Sequence, residues 1–232
     1  MKSVKRSSFI IIPVLAVLVL LGPPMLSGQT TMQIESQIGE AWQTSNSSFS
    51  AGPDREVTHF GFGIELFQQL GRRLSVGVAP GFMRRGTSFE TGFLNGLFFG
   101  ARFEARLYLN YIQLPFYLKA NFPIYGKLEC FGQTGVGYAY LVGGFREATV
   151  ITSVAPTERL KLDFEERDAE LNRFDLGWHS SLGLKLALGK GKLALTYNYY
   201  LGFLDVDQKN ESKNRNWGVG LGYQFLLRKN KD

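Results

Sequence analysis

Residues 111–122 read YIQLPFYLKANF, a stretch in which large apolar residues alternate with polar or small ones. A period of two predicts a β-strand with one apolar face, because successive side chains of a strand point to opposite sides. Pro115 stands in the middle of this strand. Proline cannot donate a hydrogen bond to a sheet and is usually confined to strand edges and bulges. The stretch therefore predicts a sheet that tolerates a proline inside one of its strands.

The same alternation recurs in seven further segments after residue 30. Each segment is about 9 residues or longer, which is enough for a tilted strand to cross a bilayer. Short connections alternate with long ones, as in outer-membrane barrels. We therefore predict an all-β fold, an eight-stranded antiparallel up-and-down transmembrane β-barrel. The predicted short turns are 71–73, 123–126 and 189–191, and the long loops are 43–56, 87–100, 145–172 and 206–214.

The two faces of the predicted strands differ in residue size. One face is bulky and often aromatic, whereas the other is mostly Gly, Ala and Ser with scattered charges. Small residues fit the narrow interior of an eight-stranded barrel, so the bulky face is predicted to contact lipid. A soluble lipocalin-like barrel or sandwich, with the apolar face inward, is the alternative. The predicted lumen network of ion pairs and hydrogen bonds comprises Glu35, Glu65, Arg85, Lys119, Glu129, Asp175, His179 and Lys185.

Aromatic residues cluster near both ends of the predicted strands. Aromatic girdles at both membrane interfaces are expected of a barrel in a bilayer. The predicted girdle residues are Trp42, Trp178 and Trp217 toward the long loops, and Tyr125, Tyr223 and Phe225 toward the short turns.

The first 28 residues have the features of a cleaved signal peptide. Lys2, Lys5 and Arg6 precede the apolar run 9–21, which is followed by small residues. This run is too short for a transmembrane helix, which needs about 20 residues. We expect a signal peptide at 1–28, the barrel at 29–227 and a short basic periplasmic tail at 228–232. The predicted location is the outer membrane of a Gram-negative bacterium, with both mature termini periplasmic.

The charge of the chain argues against a nucleic-acid partner. The formal net charge is +6, but residues 1–28 carry three basic residues and no acidic one, which leaves +3 for the rest. The basic residues are dispersed, whereas a phosphate-binding surface needs them clustered. The single cysteine, Cys130, excludes an intramolecular disulfide. No cofactor or metal motif is present in the sequence.

The segment just before the opening stretch has a different phase. Phe103, Ala105, Leu107 and Leu109 place the apolar set at odd positions, whereas even positions are apolar from Ile112 onward. An extra residue in a strand shifts the phase in this way. We therefore predict a β-bulge or strand break near residues 110–111, with 101–109 extending above the membrane or changing register.

Several short motifs, in this order, resemble the PorT-like outer-membrane β-barrel family common in Bacteroidetes. The strand with Tyr111, Pro115 and Lys119 is similar to the family's Tyr-x-x-x-Pro-x-x-x-Lys strand. The basic pair 84–85 followed by glycine, the segment 175–184 and the last strand, 214–225, are also similar. The resemblance covers about residues 31–225 and implies a link to a secretion apparatus.

The sequence favours a non-enzymatic scaffold, assembly or envelope-associated protein with a filled lumen. A narrow pore for small solutes or ions and a lipid-modifying enzyme are the alternatives. Only two histidines are present, and His179 and Ser180 are adjacent, so their side chains are predicted to point to opposite faces of a strand. The expected partners are outer-membrane lipid and an envelope or secretion-complex protein that contacts the loop 145–172. Alternation around residues 155–156 suggests that this loop continues its flanking strands as a hairpin.

Overall fold

The protein is a closed antiparallel β-barrel. The computed structural model describes residues 29–44, 56–92, 102–151, 158–161, 171–207 and 211–228. The predicted signal peptide lies outside the described residues. No helix in the described part of the chain is long and apolar enough to cross a membrane. The strands are β1 (Thr30–Thr44), β2 (Val57–Gln69), β3 (Leu74–Val78), β4 (Gly81–Gly92), β5 (Arg102–Tyr125), β6 (Leu128–Ile151), β7 (Glu158–Lys161), β8 (Phe174–Leu188), β9 (Gly191–Asp207) and β10 (Ser212–Arg228).

Eight strand positions, called walls below, form the closed ring of the barrel, as predicted. β1 pairs with β2 on one side and with β10 on the other, so the first and last strands complete the ring. The third wall is a strand broken into β3 and β4, and both parts pair with β2 and β5. The remaining walls follow in the order β5, β6, β8, β9 and β10. β7 pairs only with β6 among the described strands and belongs to no wall.

The connections differ in length between the two ends of the barrel. One end, the short-turn end, carries the connections 70–73, 126–127 and 189–190, and the opposite end is the long-loop end. Gly126 and Gly189 have φ angles of 56° and 61°. A positive φ favours glycine, since other residues rarely adopt it, so these two glycines allow the tight hairpins.

The bulky apolar faces lie on the outside of the barrel, as predicted. Ile38, Phe62 and Leu182 are more than 60% exposed, whereas Arg85, Lys119 and Asp175 are at most 1% exposed. This distribution is the reverse of that of a soluble barrel and matches a barrel whose outer surface contacts lipid. The soluble alternative is therefore wrong.

The six predicted girdle aromatics lie near the ends of the walls. The tryptophans occupy the outward-facing positions of β1, β8 and β10, and Trp217 stacks on Tyr197 with ring centroids 6.0 Å apart. Tyr223 and Phe225 lie outward near the short-turn end, with centroids 4.8 Å apart, and Tyr125 at the turn is 86% exposed. Their function as membrane girdles stays a prediction.

The phase change before residue 112 has a different cause from the one predicted. Leu109 and Tyr111 are both fully buried, so the inward face of β5 does not switch there. β4 also pairs with β5 without interruption across this point. The register shift lies in the pairing of β5 with β6, where Val142 is the extra residue. The predicted irregularity at residues 110–111 and the change of register of the preceding segment are therefore confirmed in the pairing with β6, but the extra residue belongs to β6 and not to β5. β5 itself extends beyond the junction to Arg102.

An apolar cluster inside the barrel explains the sequence pattern. The inward face of β5 is polar at Gln113, Lys119 and Asn121, toward the short-turn end, and mainly apolar from Tyr111 to Leu107, toward the long-loop end, while the phase of the strand is constant. Leu107 and Leu171 pack against the buried core of this cluster. The core consists of Leu109, Tyr111, Ala139, Leu141 and Val206.

Several predicted loop residues belong to strands. β4 continues to Gly92 and β6 to Ile151, so residues 87–92 and 145–151 are not loops as expected. Residues 145–148 pair with 158–161, which confirms the predicted hairpin for this part of the segment. The rest of 152–170 lies outside the described residues. The barrel ends at Arg228 rather than at 227, because Arg228 still pairs with Thr30.

Pro115 lies opposite the break between β3 and β4. Its carbonyl accepts a hydrogen bond of 3.0 Å from the backbone N–H of Ala79, and the Pro80 carbonyl accepts one of 3.0 Å from Ile64. A regular neighbouring strand would need a backbone N–H from residue 115, but here the neighbour itself is interrupted. The broken third wall is therefore the feature that accommodates the proline.

We predict that Pro115→Ala lowers the free energy of unfolding by no more than about 1 kcal/mol, because the loss of chain stiffness costs about this much and the broken neighbouring strand has no ladder bond for the restored N–H to complete. Leu118→Pro should destabilise by about 3 kcal/mol or more, because it removes a bond to β6 from a continuous, lipid-facing part of the same strand. Urea titration, followed by the gel mobility difference between folded and boiled protein, measures both. Equal losses for the two variants would contradict the role of the break.

Candidate functional site in the barrel lumen

The first lumen cluster is centred on a buried ion pair between β4 and β8. Arg85 Nη1 lies 3.0 Å from Asp175 Oδ2, and the two side chains are 1% and 0% exposed. Arg85 Nη2 donates a second hydrogen bond of 2.9 Å to Gln113 Oε1. A charge this deeply buried requires a partner, since desolvation of an isolated ion costs many kcal/mol. The pair therefore links opposite parts of the barrel through the lumen.

Aromatic rings and an amide hold this ion pair in position. The Arg85 guanidinium lies 3.7 Å from the centre of the Tyr200 ring and 5.1 Å from that of Tyr111. Asn214 Nδ2 donates to Asp175 Oδ2 at 2.8 Å and to the Tyr111 hydroxyl at 3.2 Å. Cation–π contact and charge-assisted hydrogen bonds both strengthen when water is excluded. The cluster adjoins the apolar core, with which it shares Tyr111.

A second ion pair lies nearer the short-turn end. Lys119 Nζ is 3.3 Å from Glu65 Oε2, and Gln133 Nε2 donates to Glu65 Oε1 at 3.0 Å. The ammonium group also lies 3.9 Å from the centre of the Phe67 ring and 4.6 Å from that of Phe131. Two predicted lumen residues, Lys119 and Glu65, are thus direct partners.

Two predicted lumen charges, Lys185 and Glu35, have hydrogen bonds rather than an ion pair. Lys185 Nζ donates to Asn121 Oδ1 at 3.0 Å and faces the Phe131 ring at 4.5 Å. Glu35 accepts three hydrogen bonds of 2.6–3.0 Å across the β1–β10–β9 side of the lumen. Its donors are Gln33, Thr196 and Asn198.

The last two predicted residues, Glu129 and His179, have different surroundings. Glu129 pairs with Lys192 at 2.5 Å near the short-turn end, where the side chains are 27% and 38% exposed. His179 is buried between Tyr200 and Tyr117, with ring centroids 4.6 Å and 5.9 Å away. The structure therefore brings the predicted residues into one lumen but divides them among separate contacts.

The motif strand contributes three residues to this lumen. Tyr111, Pro115 and Lys119 are all buried on the inward face of β5, four residues apart. Tyr111 belongs to the first cluster and Lys119 to the second, while Pro115 marks the broken wall. The spacing thus spreads the motif along the barrel axis instead of forming one site.

Sequence reasoning missed the large aromatic side chains inside the barrel. Phe67 lies opposite Gly77 and Phe131 opposite Gly183 in the strand pairing. A Cβ atom at either glycine would overlap the facing ring. The signal available in the sequence is an aromatic residue at an inward position with a glycine on the neighbouring strand.

A small cavity lies between the two ion-pair clusters. Its volume is about 50 Å³, and Glu35, Glu65, Arg85, Tyr117 and His179 are among the residues that line it. This volume accommodates a few water molecules at about 10–15 Å³ each. No group of potential metal ligands occurs in the described part of the chain. The arrangement places two ion-paired residues, Glu65 and Arg85, and the hydrogen-bonded Glu35 around a space for a few water molecules.

Comparison with known proteins identifies the class of barrel. The family model described as outer membrane protein beta-barrel domain matches residues 15–208. No curated protein matches the sequence. Among solved structures, Ail of Yersinia pestis in complex with the heparin analogue sucrose octasulfate is 14% identical, with a TM-score of 0.37, and the match covers 85% of this chain and 99% of Ail. Neisserial surface protein A is 11% identical with a TM-score of 0.44 (84% and 97% covered), and OprG from Pseudomonas aeruginosa is 13% identical with a TM-score of 0.41 (87% and 100% covered).

We predict that Asp175→Asn lowers the free energy of unfolding by about 3 kcal/mol or more, because it leaves the buried Arg85 charge without its carboxylate. Glu129→Gln is the matched control and should cost at most about 1 kcal/mol, because its pair with Lys192 is partly exposed. Urea titration of the folded, heat-modifiable band measures both.

The double variant Arg85→Met with Asp175→Leu separates charge from packing. It should be less destabilised than Asp175→Asn alone, because no unpaired charge remains in the lumen. A double variant that is less stable than the single variant would show that the ion pair itself, and not only its completeness, stabilises the barrel.

Proposed function

We propose, because this chain belongs to the outer membrane protein β-barrel domain family, that it is a small integral barrel with a filled lumen and a non-enzymatic scaffold or assembly role in the cell envelope. In this proposal the long-loop end faces the outside and both mature termini are periplasmic. The resemblance of the strand with Tyr111, Pro115 and Lys119 to PorT-like proteins favours a role in protein secretion.

The closed lumen is the observation that carries this proposal. The Arg85–Asp175 pair and its aromatic partners occupy the centre, and the apolar cluster around Leu109 lies above them. β4 also leaves β2 beyond Met83, and the four residues 85–88 are all buried. An eight-stranded barrel has room for little more than its own side chains. Transport through such a lumen would require several buried contacts to break together.

The non-enzymatic part of the proposal is supported by the position of the histidine–serine pair. His179 points into the lumen and is buried, whereas Ser180 lies on the outward face of β8. A nucleophile and its general base need a distance of about 3 Å, which adjacent residues of a strand do not provide.

The extended strands at the long-loop end supply a surface for a partner protein. β5 and β6 remain paired up to Arg102 and Ile151, and β7 adds a further strand to the edge of β6. A strand with one edge unpaired among the described residues offers backbone groups to an incoming chain. We therefore propose that the partner contacts the β6–β7 part of this extension, which lies within the predicted loop 145–172.

Planar bilayers test the closed lumen. The unmodified protein should give no steady single-channel current. Tyr200→Ala should give intermittent openings, because it removes the ring that packs against both Arg85 and His179. The control is Tyr197→Ala in the same strand, whose ring is half exposed on the outer face. Steady channels from the unmodified protein would show that the lumen conducts.

Site-directed crosslinking tests the orientation and the partner contact. Arg146→Cys, in a Cys130→Ser background, places a thiol on the extension of β6. A membrane-impermeant benzophenone maleimide should label this variant on intact cells and, after irradiation, form one discrete adduct with an envelope protein. Ile124→Cys at the short-turn end is the control and should stay unlabelled until the outer membrane is opened.

Three outcomes would contradict the proposal. Labelling of Ile124→Cys but not of Arg146→Cys on intact cells would reverse the orientation. Labelling without a crosslinked adduct would contradict a partner at the extension. In the same membranes the mass of lipid A should be identical with and without the protein, so a modified species that depends on the protein would indicate an enzyme.

A further inference from the structure

One arginine of the basic pair in β4 lies on the outer wall of the barrel. Arg85 points inward, so its neighbour Arg84 points outward, on the same face as the exposed ring of Phe60. A charged side chain on the lipid-facing wall costs about 2–4 kcal/mol at the bilayer centre and about 0–1 kcal/mol near its edge. The level of Arg84 along the barrel axis therefore determines what it can contact.

The position of Arg84 in the third wall places it at the membrane edge of the long-loop end. Arg84 pairs with Asn110, and Leu74, which begins this wall at the short-turn end, pairs with Ala120, ten residues along the uninterrupted strand β5. At about 3.4 Å per residue and a tilt of about 40°, this separation is about 26 Å along the barrel axis. An outer-membrane barrel has an apolar band of about 25 Å. With the apolar band beginning at Leu74, Arg84 lies at its opposite edge, next to the lipid head groups.

The guanidinium group of Arg84 is held in a pocket of aromatic rings. It lies 4.6 Å from the centre of the Phe60 ring, 5.2 Å from Phe145 and 6.0 Å from Tyr108. Arg84 Nε donates a hydrogen bond of 3.0 Å to Asn110 Oδ1. One edge of the guanidinium is thus fixed by an amide, while rings from three strands surround the group.

Arg84 differs from Arg106 and Arg215, two described outward-facing arginines at this end. Arg106 Nε lies 2.7 Å from Glu104, and Arg215 donates to the backbone carbonyl of Gly202 at 2.6 Å. Among the described residues, Arg84 has no carboxylate within ion-pair distance, and its two Nη atoms have no hydrogen-bond acceptor. A positioned cation whose remaining edge, formed by its two Nη atoms, is free at the head-group level is complementary to a phosphate, which guanidinium binds through paired hydrogen bonds.

We propose that Arg84, positioned by Asn110 and the rings of Phe60, Tyr108 and Phe145, binds the phosphate of a membrane lipid in the leaflet at the long-loop end. The acyl chains of this lipid would pack on the adjacent outer-wall rings, where Phe82 stacks between Phe60 and Phe62 with centroids 5.8 Å and 5.6 Å apart. The site lies outside the lumen and is independent of the scaffold role proposed above.

Native mass spectrometry of the full protein in detergent tests this site. The probes are bisphosphorylated lipid A, phosphatidylglycerol, diacylglycerol as a lipid without phosphate, and inorganic phosphate. The unmodified protein should retain a phosphorylated lipid but not diacylglycerol. Arg84→Gln should weaken this binding about tenfold, which is the effect of losing one charged hydrogen-bonded contact. Lipid A retained above phosphatidylglycerol would assign the site to the outer leaflet, and the reverse preference to a glycerophospholipid.

Matched variants distinguish lipid binding at this site from nonspecific attraction to positive charge. Arg106→Gln should leave lipid binding unchanged, because Arg106 is already paired with Glu104. Asn110→Ala should weaken binding with Arg84 present, since the guanidinium loses its fixed edge. If Arg84→Gln does not fold, as judged by the absence of the heat-modifiable band, Asn110→Ala replaces it in the test.

The proposal is overturned by any of three results. These are equal lipid retention by the folded Arg84→Gln variant and the unmodified protein, an equally large loss in Arg106→Gln, and displacement of the lipid by millimolar inorganic phosphate. The last result would describe a site for free anions rather than for lipid.

Discussion

The closure of eight walls into one ring fixes the width of the lumen, and the rest of the interior follows from this constraint. Every inward side chain must fit within that width, and each buried polar atom needs a partner because solvent is largely excluded. Large inward rings such as Phe131 therefore face glycines such as Gly183. Charges such as Arg85 and Asp175 are paired directly and supported by neighbouring amides and rings. The packing and the electrostatics of the lumen are consequences of the same geometry.

The same constraint explains why the third wall is broken. Beyond Met83, β4 no longer pairs with β2 and runs close to β1 and β10, so its buried residues help to cover the long-loop end of the lumen. A continuous strand would keep its place beside β2. The break at Ala79 and Pro80 lets the wall change direction, and Pro115 on the neighbouring strand matches this break because it needs no hydrogen-bond acceptor there.

The barrel could be predicted from the sequence because its signals are local. Alternation defines the walls, connection length separates the two ends, and residue size identifies the lipid-facing side. The partners inside the lumen could not be predicted, because Arg85 and Asp175 are 90 positions apart and meet only when the ring is closed. The apolar residues before Ile112 were misinterpreted for a related reason. When only one strand is considered, apolar residues on its inward face, such as Leu107 and Leu109, look like an outward face that has changed phase.

The two adjacent arginines of β4 show how position decides the partner of a charge. Arg85 lies inside the protein, where the chain itself supplies a carboxylate, an amide and two rings. Arg84 lies on the outer wall, where the chain supplies an amide and rings but, among the described residues, no carboxylate. Both side chains are oriented by the same kinds of contact, aromatic rings and an amide oxygen, and differ in the source of the counter-charge. For Arg84 the remaining source is the membrane, because the guanidinium lies at the level where lipid phosphates are found.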